Sequence, residues 1–408
     1  MSNVIKCPQN DFQHSQIAIV CDNGSYSLKA GFSNENFPRS IIPTIVGIPK
    51  DKKIVSIPEH GENIVFPGES AIKNKDMLDT ICPIRKSIIS DWDAMEQIWY
   101  HMFYENLMVP PENYNILHTE VDMNSKLSRE KIFETMFELF NVPKTAVIPK
   151  SVLALYSSGR TTGLMVDSGY DYTQVMPIFE GYPLHHAVQT MSVGGWHVTQ
   201  YLMQLLNERG YSFNSTKDFE TLNDIKEKLC YFALNFKFEK DMYTKEKEKQ
   251  YTLPDGTEIN VESEALVFYF NHNRHLRIKI SVIIFQSPEI LFDPLLFNIE
   301  SKLGGIHNLI YKACSACDNK EQKNMYNNII LAGGNTLFSF LPIRLEKMIT
   351  ELVAPNTKIQ IKADPERKYS TWLGGAVLAS IPSYQQMWIS KEMYEEKGPS
   401  AVHDKSLI

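Results

Sequence analysis

Cysteine is scarce: six in 408 residues, with Cys7, Cys21, Cys82 and Cys230 isolated and Cys314 and Cys317 forming the one C-x-x-C. That excludes a disulfide-stapled scaffold and fits a reducing compartment. With no second pair and no nearby histidine pair, it also argues against a structural zinc site. Long apolar runs are missing as well. No stretch reaches the roughly 18 apolar residues of a membrane span, and the nearest, 265–284, carries Arg274, Arg277, Lys279, His272 and His275. The first sixteen residues are polar and show no secretory signal. Nor is there an excess of positive charge. Lys and Arg total 41 against 48 Asp and Glu, a net −7, which leaves no global electrostatic reason to coat nucleic acid. The expectation is a soluble intracellular protein with no direct membrane contact and no sequence-specific nucleic-acid binding.

What is present is an ordinary globular composition, 43% hydrophobic and 22% charged, in a chain long enough for two or three domains or one large two-lobed domain. Ile17 to Cys21 reads as a buried strand running into Asp22-Asn-Gly-Ser25, and Asn-Gly is a strong tight-turn signal before the returning strand, Tyr26 to Phe32. Residues 33–75 suggest short strands and loops. Helical periodicity covers 93–107, 128–140 with a start at Ser128, and 151–157. The opening pattern then returns: apolar Gly163 to Val166, the turn Asp167-Ser-Gly169, and a strand-like continuation to Phe179. The two acidic turns stand 145 residues apart and read as an internal duplication. A third strand, from Ile329, ends in the glycine turn Gly333-Gly-Asn-Thr336 and leads into an apolar helix through Leu345.

Glycine turns expose backbone N–H groups, and such nests bind phosphate. Ser25 adds a hydroxyl and Lys29 a point charge within reach of a phosphate. Asp22 and Asp167 would repel bare phosphate, so they make sense with a divalent cation between, held mainly through water. Taken alone, each turn is an ordinary hairpin; the three together point to a nucleotide.

Several segments carry a family resemblance. Val20-Cys-Asp-Asn-Gly-Ser25 with Leu28-Lys-Ala-Gly-Phe32 resembles the first phosphate loop of actin. Leu155-Tyr-Ser-Ser-Gly-Arg-Thr-Thr-Gly163, Arg209-Gly-Tyr-Ser-Phe213, Pro365-Glu-Arg-Lys-Tyr-Ser370 and Gln385-Gln-Met-Trp-Ile-Ser-Lys391 also look like actin. The resemblance spans nearly the whole chain and implies an α/β, two-lobed actin-like ATPase fold of the actin and sugar-kinase superfamily. Duplicated mixed five-stranded sheet cores would be flanked by helices and divided into four subdomains. These would be 1–43, 83–157 and 370–408; 44–82; 158–193 and 302–369; and 194–301, with an insertion at about 265–284. It also implies ATP or ADP with Mg²⁺ or Ca²⁺. Carried over, the nucleotide set is Gly24, Ser25, Lys29, Asp167, Gly169, Gly195, Lys226, Glu227, Gly333, Gly334, Thr336, Phe338 and Lys368, with Asp22 and Asp167 at the cation. A partner cleft for actin-binding proteins falls on Tyr156, Gly159, Thr161, Gly181, Leu378, Ile381, Ser383 and Met387. Self-assembly or assembly with actin, in the cytoplasm and cytoskeleton, follows from the same resemblance. The alternative is a non-filamentous actin-related subunit of a larger cytoskeletal or nuclear chromatin complex.

The departures have chemical content. Lys150 and Gln174 stand where actins carry the glutamine and histidine that position the attacking water. Tyr170 replaces an acidic residue, with Asp171 displaced by one position, Lys86 takes the sensor-loop histidine's place, and Gly195-Trp-His197 replaces a Gly-Arg-Asp. A protonated lysine has three donors and no acceptor, so Lys150 cannot orient a nucleophilic water as glutamine does. The expectation is ATP binding with slow hydrolysis, a weak ATPase at most; the alternative is that Lys150 ion-pairs on a solvated surface. The loop at 50–59 bears Lys52, Lys53 and Pro58 where actin inserts an apolar tip into the next subunit. The segment 265–284 has no counterpart in actin. Leu276 to Val282 alternates as an added edge strand would, and a translated intron explains the segment equally well.

Overall fold

The computed structural model describes residues 17–50, 65–245, 249–252, 258–261, 266–271, 274–279 and 282–403, at 216–217 and 242–279 by their backbone alone. The N-terminal stretch to Gln16 and residues 51–59 of the charged loop, both singled out above, lie outside those residues. The chain divides into two compact units. The first takes Met1–Met165, Met176–His186 and Glu366–Ile408; the second takes Val166–Val175 and Ala187–Pro365. The strands Gly163–Ser168 and Thr173–Phe179 carry the chain across that division and back.

A mixed sheet forms the first unit's core. Its strand order is Ile389–Ser390, Lys144–Pro149, Asn115–Glu120, Ala18–Asn23, Ser27–Phe32, Ser40–Pro43. The central pairs, Ala18–Asn23 with Asn115–Glu120 and Asn115–Glu120 with Lys144–Pro149, are parallel. The outer three are antiparallel. Six strands stand where the sequence suggested five, because the two-residue Ile389–Ser390 adds itself at the edge beside Lys144 and Thr145.

Strands buried on both faces read as unbroken apolar runs, and this sheet shows why. Ala18, Val20, Leu117, Ala146 and Ile148 face a cluster with Leu153, Trp372, Ala376 and Leu378. Their neighbours Ile19, Cys21, Ile116 and Val147 face Ile98, Trp99, Met102 and Phe137. Helices 150–157 and 370–380 cover the first face. They pack closely because Gly374 lies against the Leu153 carbonyl, where a Cβ would overlap backbone atoms, while a Cβ at Gly375 would meet Val20 Cγ1 at 2.7 Å. Trp372 fills the space below and donates its indole N–H to the Val20 carbonyl, 3.0 Å away.

The helix on the other face spans Trp92–Tyr100 and continues as a wider turn through Asn106. Asp91 caps it by accepting from the Ala94 N–H at 2.9 Å. The helix expected at Ser128 begins three residues earlier. Ser125 is the cap, accepting from the Ser128 N–H at 3.1 Å, and so the second serine is drawn inside the first turn.

In the second unit, Ile329–Ala332 lies beside Gly163–Ser168 and pairs in parallel with Ile361–Lys362. Thr173–Val175 pairs antiparallel with Gln189–Met191. The helices Gly195–Glu208 and Thr216–Leu229 follow. Within 265–284, Arg274–Lys279 forms a strand, paired antiparallel with Leu266–Asn271. The alternating segment therefore builds a local hairpin, and among the described residues it pairs with no other sheet. Cys314 and Cys317 are buried at the end of the helix Ile306–Ser315. No cluster of three or more His, Cys, Asp or Glu among the described residues could hold a metal, and no helix there is long and apolar enough to cross a membrane.

Gly374→Ala should destabilise the protein by about 3 kcal/mol, at the upper end of overpacking costs, because the added methyl meets backbone rather than a side chain that can turn aside. Urea unfolding followed by tryptophan fluorescence measures it, and an unchanged midpoint would mean the two helices are not held this close.

Candidate functional site

Both acidic turns begin alike. Asp22 and Asp167 each occupy the next-to-last position of a six-residue strand, Ala18–Asn23 and Gly163–Ser168. Each belongs to a different unit, and the residues around each are described in turn.

Asp22 is 4% exposed. One of its oxygens meets the Lys29 ammonium at 3.0 Å. The other accepts from the Thr119 hydroxyl at 3.2 Å and stands 3.9 Å from the Lys150 ammonium. Burial alone would raise this carboxyl; the two ammonium groups and the hydrogen bonds from Lys29 and Thr119 outweigh it and hold the group below its usual value. Next to it, Asn23 ties the turn to the neighbouring strand. Its N–H donates to Thr119 Oγ1 at 3.0 Å, its amide donates to the Thr119 carbonyl at 3.2 Å, and its Oδ1 accepts from the Trp99 indole at 3.2 Å.

Lys150 opens the helix 150–157 and is 7% exposed, so the solvated-surface reading does not hold. Its ammonium donates to the Asn23 carbonyl at 2.5 Å and to Ser87 Oγ at 3.3 Å. Ser87 and Lys86 form the two-residue turn of the hairpin Ile84–Arg85/Ile88–Ile89. Both sit at positive φ, 50° and 60°, a conformation disfavoured without glycine. The Ser87 N–H donates to Ser25 Oγ at 3.1 Å, leaving the Ser25 hydroxyl proton to donate elsewhere. Gly24 is required by closeness, since a Cβ there would come within 2.6 Å of the Ser27 carbonyl oxygen.

In the second unit a different polar scaffold appears. Asn335 donates to Ser168 Oγ at 3.1 Å and to the Gly169 carbonyl at 2.7 Å. Gly333, at φ 85°, lies so close to the Ser168 carbonyl and the Asp167 carboxylate that a Cβ would overlap both; Gly334 opens onto free space. Thr336 closes that turn by donating to the Gly333 carbonyl at 2.7 Å. The Gly195 N–H donates to the Gly169 carbonyl at 2.9 Å. Lys226, 4% exposed, donates to the Gly195 carbonyl at 3.1 Å, Thr199 Oγ1 at 3.0 Å and Asn223 Oδ1 at 2.5 Å. Asp167, Gly169, Gly195, Lys226, Gly333, Gly334 and Thr336 are thus linked locally. Glu227 is exposed and accepts from Asn223. Phe338 is buried edge-on against Phe232, ring centres 5.7 Å apart. Gln174 is buried in its strand opposite Thr190. Lys368 belongs to the first unit, while Gly333, Gly334, Thr336 and Phe338 belong to the second. Sequence reasoning passed over Asn335, although it stands between two residues that were chosen; only the fold reveals that its amide joins two turns.

Both turns suit phosphate oxygens, with N–H groups at a tight glycine bend in one and open space above Gly334 in the other. A divalent cation is a poorer match at Asp22, whose single negative charge already faces two ammonium groups.

Seven of the eight cleft residues, all but Gly181, line one cavity of about 430 Å³ in the first unit. Gly181 stands beside it, donating its N–H to the Thr161 carbonyl at 2.7 Å, and a Cβ there would come within 2.7 Å of the Tyr156 hydroxyl. Arg160, Val377, Tyr384 and Gln386 complete the lining and were not anticipated.

A mixed α/β architecture with a glycine turn at each acidic strand end is the class of protein these features define. The family model described as Actin matches residues 13–407, and the chain belongs to that family.

His118 offers a pH test of the Asn23 network. Its Nδ1 accepts from the Asn23 amide at 3.2 Å, while Nε2 faces Met136 Sδ at 3.1 Å, which fits the neutral ring. Burial pushes its pKa down to about 3. A base depressed on folding contributes stability that is full above its unfolded pKa, about 6.5, and declines as the pH falls from there toward 3. Asp22, an acid depressed on folding, acts only below its ordinary value of 3.8. His118→Gln should therefore reduce the fall in stability between pH 6.5 and 4 by about 1.4 kcal/mol per pH unit. Urea unfolding at stepped pH gives the slopes, and identical slopes would mean His118 is not buried in its neutral form.

Proposed function

We propose that this protein is an actin-like ATP-binding protein of the cytoskeleton that assembles with itself or with actin and turns ATP over slowly. ATP, when bound, supplies the phosphoanhydride, and actin-family proteins generally bind nucleotide with a divalent cation. Gly24, Ser25 and Lys29 hold phosphate in the first unit, and Gly169, Gly333, Gly334 and Thr336 in the second. Lys226 and Asn335 brace the second set from behind. The four-subdomain division and a cytoplasmic, cytoskeletal setting belong to the same reading.

One observation carries the slow turnover. Lys150 is buried and directs its protons at the Asn23 carbonyl and Ser87. An ammonium has no lone pair to accept a proton from water, so the group at this place stabilises charge and does not draw a nucleophile into line. The cleft lined by Tyr156, Leu378, Ile381 and Met387 suits the apolar face of an amphipathic helix from an actin-binding protein.

The second reading, a non-filamentous actin-related subunit of a larger cytoskeletal or chromatin complex, draws on the charged loop Lys50-Asp-Lys-Lys53 and on Pro58. Sedimentation with Mg-ATP, alone and with conventional actin, separates the two. Pelleting in either condition is the expected result; nucleotide binding without pelleting in both favours the complex subunit. Independently, single-turnover release of the γ-phosphate should run at least about a hundredfold slower than in conventional actin, the low end of the 10²–10⁴ range of a lost general base or positioning group. Equal rates would remove the argument from Lys150.

A further inference from the structure

We propose that Arg160 selects what enters the cavity of the first unit: a partner helix whose apolar face carries one Asp or Glu at its edge. This rests on the reading of that cavity as a helix-binding cleft, and it adds the charge such a helix must bring.

The walls of the cavity are largely apolar, with Tyr156, Leu378 and Met387 among them. Val377 and Ile381, four residues apart at the end of the helix 370–380, also line it and remain 51% and 39% exposed. Among the described residues, Arg160 is the one charged side chain in the lining, and no acid lines the cavity. The Arg160 Nη1 is buried and has no hydrogen-bond partner. Two other arginines in partly covered places are matched: Arg129 donates to Glu120, and Arg344 to Glu289 at 2.7 Å. Arg160 has no such carboxylate among the described residues.

Its position is set by the backbone. The helix 150–157 ends in a turn where the Ser158 and Gly159 N–H groups donate to the Leu155 and Tyr156 carbonyls, both at 2.9 Å. Gly159, at φ 72°, turns the chain there, and the next residue, Arg160, lines the cavity together with Tyr156. A buried donor without an acceptor is a standing cost, and whatever brings an acceptor removes it. A guanidinium presents a planar fork that a carboxylate meets with two parallel hydrogen bonds. The apolar walls give a small free anion nothing to bury. An amphipathic helix satisfies both, with apolar side chains at i, i+3, i+4 and i+7 against the walls and an acid one turn away on the edge nearest Arg160. Arginine is enriched among the side chains that dominate binding energy, and its pairing is stronger where apolar groups exclude water.

The test is fluorescence anisotropy of labelled peptides with the full chain. The probes are amphipathic helical peptides with one leucine stripe and a single Glu, Gln or Lys placed in turn at each position flanking it. At one position or more, the Glu peptide should bind the natural chain at least about tenfold tighter than its Gln twin, a tenfold ratio being the scale of one well-placed charged hydrogen bond. Arg160→Gln should erase that difference, and Arg160→Glu should reverse it in favour of Lys, an exchange that a merely structural arginine would not produce. Equal binding of Glu and Gln peptides at every position overturns the role of Arg160 and leaves the cleft reading standing, and this comparison needs no variant to fold. A Glu preference that persists in Arg160→Gln overturns the assignment to Arg160. No peptide binding in any form removes the cleft reading, and the proposal with it.

Discussion

A carboxylate at the buried end of a central strand must be paired, and the pairing of Asp22 organises the first unit. Removing water from an ion costs several kcal/mol even after relaxation. Attraction offsets that only where the partners are close and the remaining lone pairs are met. Here Lys29, Lys150 and Thr119 meet them. Each partner comes from a different piece of chain: the returning strand, the helix 150–157 and the adjacent parallel strand. The charge therefore fixes three elements at one point. Removing either lysine would leave an acid with less compensation in a site of 4% exposure, which is how a buried pair becomes expensive to break.

The second unit meets a similar constraint with one amide and one ammonium. Its turns lie too close together for side chains at Gly194 or Gly333, where a Cβ would overlap the Tyr170 or Ser168 carbonyl. The amide of Asn335 and the ammonium of Lys226 link the backbone segments that result. Lys226 is thus a structural cation first. Its bonds to Gly195, Thr199 and Asn223 hold the start of the helix Gly195–Glu208 to the helix Thr216–Leu229. The family resemblance placed Lys226 and Glu227 together in the nucleotide set; of the two, Lys226 is buried and Glu227 is exposed.

Local signals were the legible ones. Asn-Gly marked the first hairpin, apolar runs marked the central strands, and the glycine pair at 333–334 marked a turn, because each depends on a residue's own backbone preferences. What escaped the sequence depends on distant partners. Lysine is ordinarily exposed, so nothing in Pro149-Lys-Ser151 reveals that Lys150 reaches a carbonyl 127 residues away. Asn335 looked like turn chemistry and proved to be a link to a strand end 167 residues earlier. The sixth strand of the first sheet is two residues long, too short to show any periodicity. The start of the helix at Lys126 was misplaced because two serines three residues apart are both good caps, and only the chain's path chooses between them.

The hairpin turn at Lys86 and Ser87 shows why a lysine at 150 has consequences beyond its own contacts. Two consecutive non-glycine residues at positive φ cost about 1–2 kcal/mol each, a strain that persists only where surroundings hold it. Ser87 is held on both sides: its N–H by Ser25 and its hydroxyl oxygen by Lys150. A glutamine in this place could still bond the Ser87 hydroxyl, but it would bring no charge to Asp22. Lysine offers only donors. It therefore joins turn, hairpin and acid in one arrangement, and the slow turnover proposed above draws on the same lack of an acceptor.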